Sequence, residues 1–393
     1  MGGVYLDWAA TAPPDPDILT QADAVALGVY ANPSSLHGAG REAGSLLEES
    51  RKRLARVLGC QAGEVIFTSG GTEANNMVLF SALGQAKGKK IILSGIEHSS
   101  AYQPAEALLR LGYEVKTIRA ANNGAVDPAA VEKELDEDTI LVALMLVNNE
   151  TGAIQPVAEV ARRMRSFEEK TGKRIHLHTD AVQALGKIPL DLYALAADSA
   201  SFSAHKIGGP RGIGALYLRK GSAPRFLYCG GGQEGGRRPG TENLPGAFGF
   251  ALAAERRAAN LSQESAAADR LLRVLISELR SLKPGSVIPQ GRSGAEGEPF
   301  SPYILCAAFP PLPGEVLVRI MAEEGYWIST GSACSSRQRK RERRRGLEQM
   351  GVPEATAQAA VRISLGWATG PQELDGFLTA LKRRLAGLKG IFP

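Results

Sequence analysis

A single lysine, Lys206, lies in the stretch SASFSAHKIGGPRGIGALYL (residues 199–218), between an apolar run that predicts a strand and a glycine-rich turn. One interpretation is an ordinary loop lysine that points into solvent, as most lysines do. The other is an amine that does covalent chemistry, because burial lowers the pKa of a lysine and makes it a better nucleophile and base. Lys206 alone does not distinguish the two, so its predicted neighbours have to.

Other polar residues also follow apolar runs directly. In TSGGTEANN (68–76), Gly71 and Thr72 precede a predicted helix whose first backbone amides suit a phosphate; a capped helix is the alternative. Asp180 could hold a protonated ring nitrogen, or it could be a loop residue or a helix cap. His98 could stack on a planar ring, or it could lie in solvent. The five clusters of this kind are TSGGTE (68–73), GIEHSS (95–100), NNETG (148–152), TDAVQ (179–183) and SAHK (203–206).

These clusters are predicted to meet at one edge of a sheet, because ligands of open parallel sheets bind beyond the carboxyl ends of the strands. An amine, a carboxylate and a phosphate cradle at one edge form the set that a Schiff-base cofactor such as pyridoxal phosphate needs. We therefore expect Lys206, Asp180 and Thr72 to line one pocket.

The elements that position these residues follow from the hydrophobic pattern. Between residues 65 and 218, short apolar runs alternate with longer amphipathic runs, which predicts a doubly wound α/β domain with a mostly parallel sheet. A long helix is predicted over about 247–283, and the mixed elements after it predict a smaller α+β domain. We predict a large domain over 15–246 and a small domain that combines 1–14 with 247–393.

Two residues of the C-terminal region also carry chemistry. Cys334 lies among small residues in STGSACSS, where a thiol could travel; an inert cysteine is the alternative. Arg362 lies in the alternating segment AVRISLG and shares a face with Ser364. Its guanidinium could clamp a carboxylate with two hydrogen bonds, or it could be an ordinary surface arginine.

Composition excludes several classes of protein. The chain has 393 residues, is 44% hydrophobic and carries a net charge of only +5, so its charge says little about partners. Its four cysteines have neither C-x-x-C spacing nor neighbouring histidines, so we expect no zinc site or disulfide framework and a reducing, cytoplasmic setting. The N-terminus lacks the pattern of a secretion signal, and the longest apolar run (140–147) is too short to span a bilayer.

Taken in order, the motifs resemble those of the cysteine desulfurases of the NifS/IscS type, which are pyridoxal-phosphate-dependent enzymes of fold-type I in the class V aminotransferase group. The resemblance covers nearly the whole chain and implies that group's fold, with a large sheet domain and a smaller C-terminal domain. It rests on VYLDWAATAPP, YANPSSLHGAGREA, VIFTSGGTEANN, EHSS, VNNETGAIQP, HTDAVQALGKIPLDL, SFSAHKIGGPRGIGALY, GGGQEGGRRPGTEN, STGSACSS and VRISLG.

The resemblance implies a role for each matching residue. Lys206 would form the Schiff base with pyridoxal phosphate, Cys334 would be the mobile thiol that takes the sulfur, and His98 would stack on the ring and relay protons. The other implied contacts are Gly71, Thr72, Ser203 and His205 at the phosphate, Asp180 at the ring nitrogen, Asn149 and Gln183 near the phenolic oxygen, and Arg362 with Asn32 at the substrate carboxylate. Thr241 would reach the phosphate of a neighbouring subunit, which implies a homodimer.

The implied activity is the removal of sulfur from L-cysteine, which gives L-alanine and a persulfide on Cys334. The persulfide would pass to an acceptor protein in iron–sulfur cluster assembly or tRNA thiolation. The alternatives are a selenocysteine lyase, another class V enzyme, or a non-catalytic scaffold with the same fold.

Two features depart from the family pattern. The segment RQRKRERRR (337–345) is either a solvated, self-repelling face or a contact for an acidic acceptor protein or RNA phosphates. Direct nucleic-acid binding is not what we expect. The sequence ends at KGIFP, without the longer tail that housekeeping members use near their iron–sulfur scaffold protein. This difference argues against docking to that scaffold protein.

Overall fold

The structure is a computed structural model that describes residues 2–85, 87–222, 224–282, 285–331 and 345–388. Cys334 and residues 337–344 therefore lie outside the described residues. The strands are β1 (Val4–Tyr5), β2 (Val65–Thr68), β3 (Lys90–Ser94), β4 (Glu114–Ile118), β5 (Thr139–Ala143), β6 (His176–Asp180), β7 (Ser199–Ser203), β8 (Gly214–Leu218), β9 (Ser286–Ile288), β10 (Ile304–Ala308), β11 (Tyr326–Trp327) and β12 (Ala360–Ser364).

The helices between them match the predicted alternation. They are α1 (Pro16–Gly28), α2 (Gly38–Leu58), α3 (Gly71–Phe80), α4 (Ser99–Arg110), α5 (Pro128–Lys133), α6 (Val157–Thr171), α7 (Leu192–Leu195), α8 (Leu244–Ser281), α9 (Gly314–Glu323), α10 (Arg345–Gln349), α11 (Glu354–Gln358) and α12 (Pro371–Leu388). Within the described part of the chain, no helix is long and apolar enough to cross a membrane.

The main sheet has seven strands in the order β2-β8-β7-β6-β5-β3-β4. Neighbours are parallel except at β8, which is antiparallel to both β7 and β2. The reason is the short link over 204–213, since a parallel crossover needs about a dozen residues or more and usually a helix. Gly208 and Gly212 adopt positive φ angles of 82° and 77°, which lets the chain reverse within this link. The predicted α/β class is confirmed, with this one antiparallel strand inside the sheet.

Both faces of the sheet are buried, as the continuous apolar strands predict. Along β2, Val65 and Phe67 pack into one hydrophobic cluster, whereas Ile66 packs into a second cluster on the other face. The same alternation occurs on β3, where Ile92 joins the first cluster and Ile91 joins the second. Helices therefore cover both faces of the sheet, which leaves the carboxyl ends of the strands for ligand binding.

The C-terminal region forms a three-stranded antiparallel sheet, β12-β10-β9, and β11 pairs in parallel with β1. A third hydrophobic cluster joins Leu6 to residues between 272 and 381. Helix α8 links the regions, since Phe250 near its start packs into the first cluster and Leu279 near its end packs into the third. The division into 15–246 and 1–14 with 247–393 stays a prediction.

Candidate active site

A cavity of about 450 Å³ opens where the carboxyl ends of the parallel strands meet. It brings together most of the predicted residues: Gly71, Thr72, His98, Asn149, Asp180, Gln183, Ser203, His205, Lys206 and Arg362. Residues that sequence reasoning did not single out complete the lining, among them Ala9, Ala10, Thr11, Ser100 and Arg211. The motifs after β2, β3, β6 and β7 thus converge because these strands run in the same direction.

Lys206 lies in the short turn after β7 and is half-buried, so the solvent-facing interpretation is wrong. Its Nζ donates hydrogen bonds to the carbonyl oxygens of Ala9 and Ala10, each over 2.7 Å. The N-terminal segment reaches this position because the amide of Ala12 donates to the carbonyl of His205 at 2.9 Å. These backbone carbonyl groups therefore hold the amine at the cavity wall.

The start of α3, where a phosphate cradle is predicted, lies at the cavity. The residue before the helix is Gly70, and no side chain caps the first backbone amides, so the alternative that Thr72 is the cap is wrong. A side chain at Gly71 would come within 2.5 Å of Val182, so only glycine allows this close approach. Unpaired amides at a helix start bind anions readily. Arg211, in the link before β8, adds an exposed guanidinium to the same cavity.

The histidine beside Lys206 is a neutral partner for an anion. Burial and the charge of Lys206 lower the pKa of His205 to about 3. Its Nδ1 lies 3.0 Å from the hydroxyl of Thr11. His205 therefore offers a hydrogen bond, while the positive charge near the cradle comes from Lys206 and Arg211.

The carboxylate of Asp180 is the last group of β6 and faces the cavity. Its Oδ1 accepts the backbone N–H of Val182 at 3.0 Å, and its Oδ2 accepts the amide nitrogen of Asn75 at 2.7 Å. Asn75, on α3, is fully buried. Sequence reasoning quoted this asparagine only as a motif letter, since nothing in the pattern shows that α3 places it against the end of β6.

A chain of hydrogen bonds continues behind Asn75. Its Oδ1 lies 2.9 Å from Nε2 of His178, and Nδ1 of His178 lies 2.8 Å from the hydroxyl of Ser199. The same hydroxyl lies 2.7 Å from Nε2 of His176. His176, His178 and Asp180 alternate along β6 and so share one face of the strand.

We expect these two histidines to reduce stability in acid. Burial lowers the pKa of His176 to about 4 and that of His178 to about 3. Unfolded histidines bind protons below about pH 6.5 while these folded ones do not, so stability falls as the pH drops from about 6.5 towards 4. In H178Q the fall should be shallower by up to about 1.4 kcal/mol per pH unit. Urea unfolding at several pH values checks this, and an unchanged slope in H178Q would contradict it.

His98 is the N-cap residue before α4, and Ser100 fixes its ring. Nδ1 of His98 accepts the backbone N–H of Ser100 at 3.2 Å and lies 2.7 Å from the Ser100 hydroxyl. Burial lowers the pKa of His98, although the nearby Asp180 carboxylate opposes this effect. The neutral ring lines the cavity, and its stacking role stays a prediction.

A second buried lysine supports Gln183. The Nζ of Lys187 donates to Oε1 of Gln183 at 2.6 Å, and Nε2 of Gln183 donates to the carbonyl of Ala9 at 2.8 Å. Burial, together with the charges of Lys206 and Arg362, holds the pKa of Lys187 well below its usual value. Sequence reasoning missed Lys187, because a lysine after an Ala-Leu-Gly turn resembles a surface residue.

Arg362 is an internal residue of β12 with only 2% of its surface exposed, so the surface interpretation is wrong. Its Nη1 donates to the carbonyl of Asn149 at 2.9 Å, and its Nη2 donates to Oδ1 of Asp7 at 2.7 Å. Its buried Nε has no hydrogen-bond partner among the described residues. A buried guanidinium with an unused donor at a cavity wall suits a carboxylate ligand.

Two predicted residues lie outside this lining. Asn32 is exposed, and its Oδ1 accepts the backbone N–H of Ser34 at 2.9 Å. Thr241 is also exposed. Neither belongs to the cavity formed by this single chain. Cys334 lies outside the described residues, so its place relative to the cavity stays a prediction.

The described cysteines are free. Burial raises the pKa of Cys60 to about 12 and raises that of Cys306 further above its usual range. Since the thiolate is the nucleophilic form, neither thiol suits attack at neutral pH. Cys229 is exposed and does not line the cavity.

The last residue of the basic segment, Arg345, packs against the protein. Its guanidinium donates to the carbonyls of Gly95 at 2.6 Å and Glu97 at 2.5 Å, and it lies 3.7 Å from the centre of the Tyr102 ring. Arg345 is therefore neither a solvated charge nor a free contact for a partner. It braces the loop between β3 and α4, which carries His98.

Comparison with known proteins agrees with this fold. The sequence pattern of the family "Aminotransferase class-V" matches residues 4–377, and the chain belongs to that family. Among curated relatives, "Cysteine desulfurase IscS" of Dictyoglomus turgidum is 36% identical over 99% of this chain and 96% of its own length. "NifS/IcsS protein homolog" of Lactobacillus delbrueckii subsp. bulgaricus is 40% identical over 96% of each chain.

Solved structures give the same result. A structure named "NIFS-LIKE PROTEIN" superposes with a TM-score of 0.89 at 36% identity, covering 98% of this chain and all of that one. Another, "SspA in complex with cysteine", has a TM-score of 0.76 at 29% identity and covers 92% of this chain and 99% of its own. The family resemblance and the fold class predicted from the sequence are confirmed.

Proposed function

We propose that this chain is a cysteine desulfurase, which takes sulfur from L-cysteine and releases L-alanine while Cys334 carries the sulfur as a persulfide. The observation that carries the proposal is the convergence of Lys206, Asp180, Thr72 and Arg362 on one cavity. This set supplies an amine, a carboxylate, an anion cradle and a guanidinium within reach of a single small molecule.

The residues fit pyridoxal phosphate, the cofactor of class V aminotransferases. A helix start without a capping side chain suits its phosphate, Asp180 suits its ring nitrogen, and Lys206 suits its aldehyde. When bound, this cofactor withdraws electrons from the substrate's Cα and so eases the loss of the Cα proton.

The chain's own residues then bind substrate and move protons. Lys206, with Nζ held near the backbone of Ala9 and Ala10, binds the cofactor and afterwards accepts the Cα proton as a free amine. Arg362 binds the substrate carboxylate with a donor that its contacts to Asp7 and Asn149 leave unused.

The sulfur of the substrate is transferred to the thiol of Cys334. Its thiolate forms an S–S bond to the sulfur of cysteine as the substrate's C–S bond breaks. The electron pair of that bond stays on the substrate, whose Cβ takes up a proton. Lys206 then returns the Cα proton, and the product leaves as alanine. The high pKa values of the half-buried Cys60 and the buried Cys306 agree with a separate nucleophilic cysteine.

A conservative change at Arg362 should weaken substrate binding. Lysine keeps the charge but cannot donate in the planar fork that a carboxylate accepts. We expect R362K to raise the KM for L-cysteine about tenfold or more with a smaller loss in kcat. Steady-state alanine formation measures both. R319K, at an exposed arginine of α9, is the matched control; equal KM values for R362K and the wild type would contradict the clamp.

The assembly and setting are parts of the same proposal. Thr241 and Asn32 are exposed on one chain, which is compatible with a homodimer in which such residues meet a neighbouring copy. A sulfur-acceptor protein and a cytoplasmic setting complete the proposal.

Alanine formation from L-cysteine, compared with L-selenocysteine, tests the proposed function. We expect alanine from L-cysteine, with no alanine when Cys334 is changed. Efficient release from selenocysteine alone would identify a selenocysteine lyase. A chain that binds pyridoxal phosphate and forms no alanine from either would be a scaffold.

A further inference from the structure

We propose that His178, Asn75 and Ser199 are positioning residues that orient the Asp180 carboxylate through a chain of hydrogen bonds in which every donor points towards Asp180. This inference rests on the proposed function, because Asp180 acts on the ring nitrogen of pyridoxal phosphate there. The inference means that residues that do not touch the cofactor help to determine whether its ring nitrogen is protonated.

The direction of the chain follows from the chemistry of its members. An ionised carboxylate only accepts, so the Asn75 group 2.7 Å from Asp180 is its NH₂ and the group that faces His178 is its carbonyl oxygen. His178 must then donate from Nε2. Because His178 is neutral, its Nδ1 accepts from the Ser199 hydroxyl, and that hydroxyl accepts from Nε2 of His176.

The chain is built into rigid parts of the fold. His178 and Ser199 are directly paired in the ladder between β6 and β7. Asn75 projects from α3 onto the same face. Exposed fractions are 1% for His178, and 0% for Ser199 and Asn75. Hydrogen bonds in such a dry interior are strong and cooperative, and a member that loses its partner is costly.

The same asparagine also reaches the second ring-facing residue. Nδ2 of Asn75 lies 2.8 Å from the Ser100 hydroxyl, and that hydroxyl lies 2.7 Å from Nδ1 of His98. Nδ1 of His98 already accepts the Ser100 amide, so the hydroxyl donates to it as well. Asn75 therefore fixes the orientation of Asp180 directly, and it fixes the orientation of His98 through the Ser100 hydroxyl.

Loss of His178 would remove the group that fixes the Asn75 amide. The amide could then turn its oxygen towards Asp180, where two acceptors repel, and the carboxylate would turn away. A turned Asp180 no longer stabilises a proton on the cofactor's ring nitrogen. The predicted defect is thus specific to the ring nitrogen and spares the phosphate cradle and Lys206.

The test uses the full-length chain loaded with pyridoxal phosphate that is isotopically labelled at the ring nitrogen, and nitrogen NMR reports whether that atom is protonated. We expect a protonated nitrogen at neutral pH in the wild type and in H178Q, whose amide can replace both hydrogen bonds of the histidine. We expect loss of that proton in H178L. The control is S201A, because Ser201 lies on β7 with a buried hydroxyl that has no hydrogen-bond partner among the described residues.

A binding measurement guards against a merely structural effect. Affinity for pyridoxal phosphate is compared with affinity for an analogue in which carbon replaces the ring nitrogen. In H178L the preference for the natural cofactor should fall about tenfold, while general damage would weaken both ligands alike. If H178L does not fold, S199A is measured in the same way, and we expect a loss in the same direction.

The outcomes separate the two proposals. A wild-type chain that binds no pyridoxal phosphate would overturn the proposed function and this inference with it. A wild type with a protonated ring nitrogen, together with folded H178L or S199A variants that keep the same nitrogen signal and the same preference, would overturn the relay alone.

Discussion

Replacing Lys206 with alanine should give a colourless protein that no longer releases sulfur from L-cysteine. Lys206 is the only residue of the described cavity lining with a primary amine, and its Nζ lies at the wall beside the backbone of Ala9 and Ala10. Without it the cofactor loses its covalent bond and the substrate loses the base for its Cα proton. Because a positioned base contributes about 10²–10⁴-fold, we expect alanine formation to fall by about a thousandfold or more.

The control for this change is K206R, which keeps a positive charge able to donate to the same two carbonyls. We expect K206R to be colourless and inactive as well, because a guanidinium does not form a Schiff base. Absorption spectra after dialysis with pyridoxal phosphate, and the rate of alanine formation, measure both effects. A yellow, active K206A protein would contradict the role of Lys206, and borohydride reduction would then show whether Lys187 holds the cofactor.

The second large effect is expected from C334A. This variant should keep the yellow band and the affinity for L-cysteine, since the role proposed for Cys334 is to take the sulfur and not to hold the cofactor. Sulfur transfer should fall to background, a loss of about a hundredfold or more, because the nucleophile that takes the sulfur is gone. Spectroscopy on adding L-cysteine and assays of released sulfide separate binding from transfer.

Cys229 provides the matched control, because it is an exposed free cysteine that does not line the cavity. C229A should transfer sulfur at the wild-type rate. If C334A kept that rate while C229A lost it, the nucleophile would be Cys229 and the assignment made from the STGSACSS motif would be wrong.

Local sequence patterns were enough to predict that three polar residues meet at one cavity. Thr72, Asp180 and Lys206 each follow an apolar run, and parallel strands bring such positions to one edge. The antiparallel direction of β8 was missed, although the short link over 204–213 already disfavours a parallel crossover. That direction places the link before β8, with Arg211, beside the same edge.

Contacts between residues far apart in the chain could not be predicted from the sequence pattern. Alternation in AVRISLG predicts which face Arg362 shares with Ser364, but not that Asp7 is its ion-pair partner. Asn75 and Lys187 looked like ordinary helix and turn residues. Their roles appear only when α3 is placed over β6 and the N-terminal segment is placed against Gln183.

The most direct test is a single turnover of the wild-type chain with L-cysteine, in which alanine is counted and the protein is weighed by mass spectrometry. We expect one alanine for each cofactor-bearing site and one added sulfur atom per chain, located on the peptide that contains Cys334. Alanine without protein-bound sulfur, or added sulfur on a peptide other than that of Cys334, would contradict it.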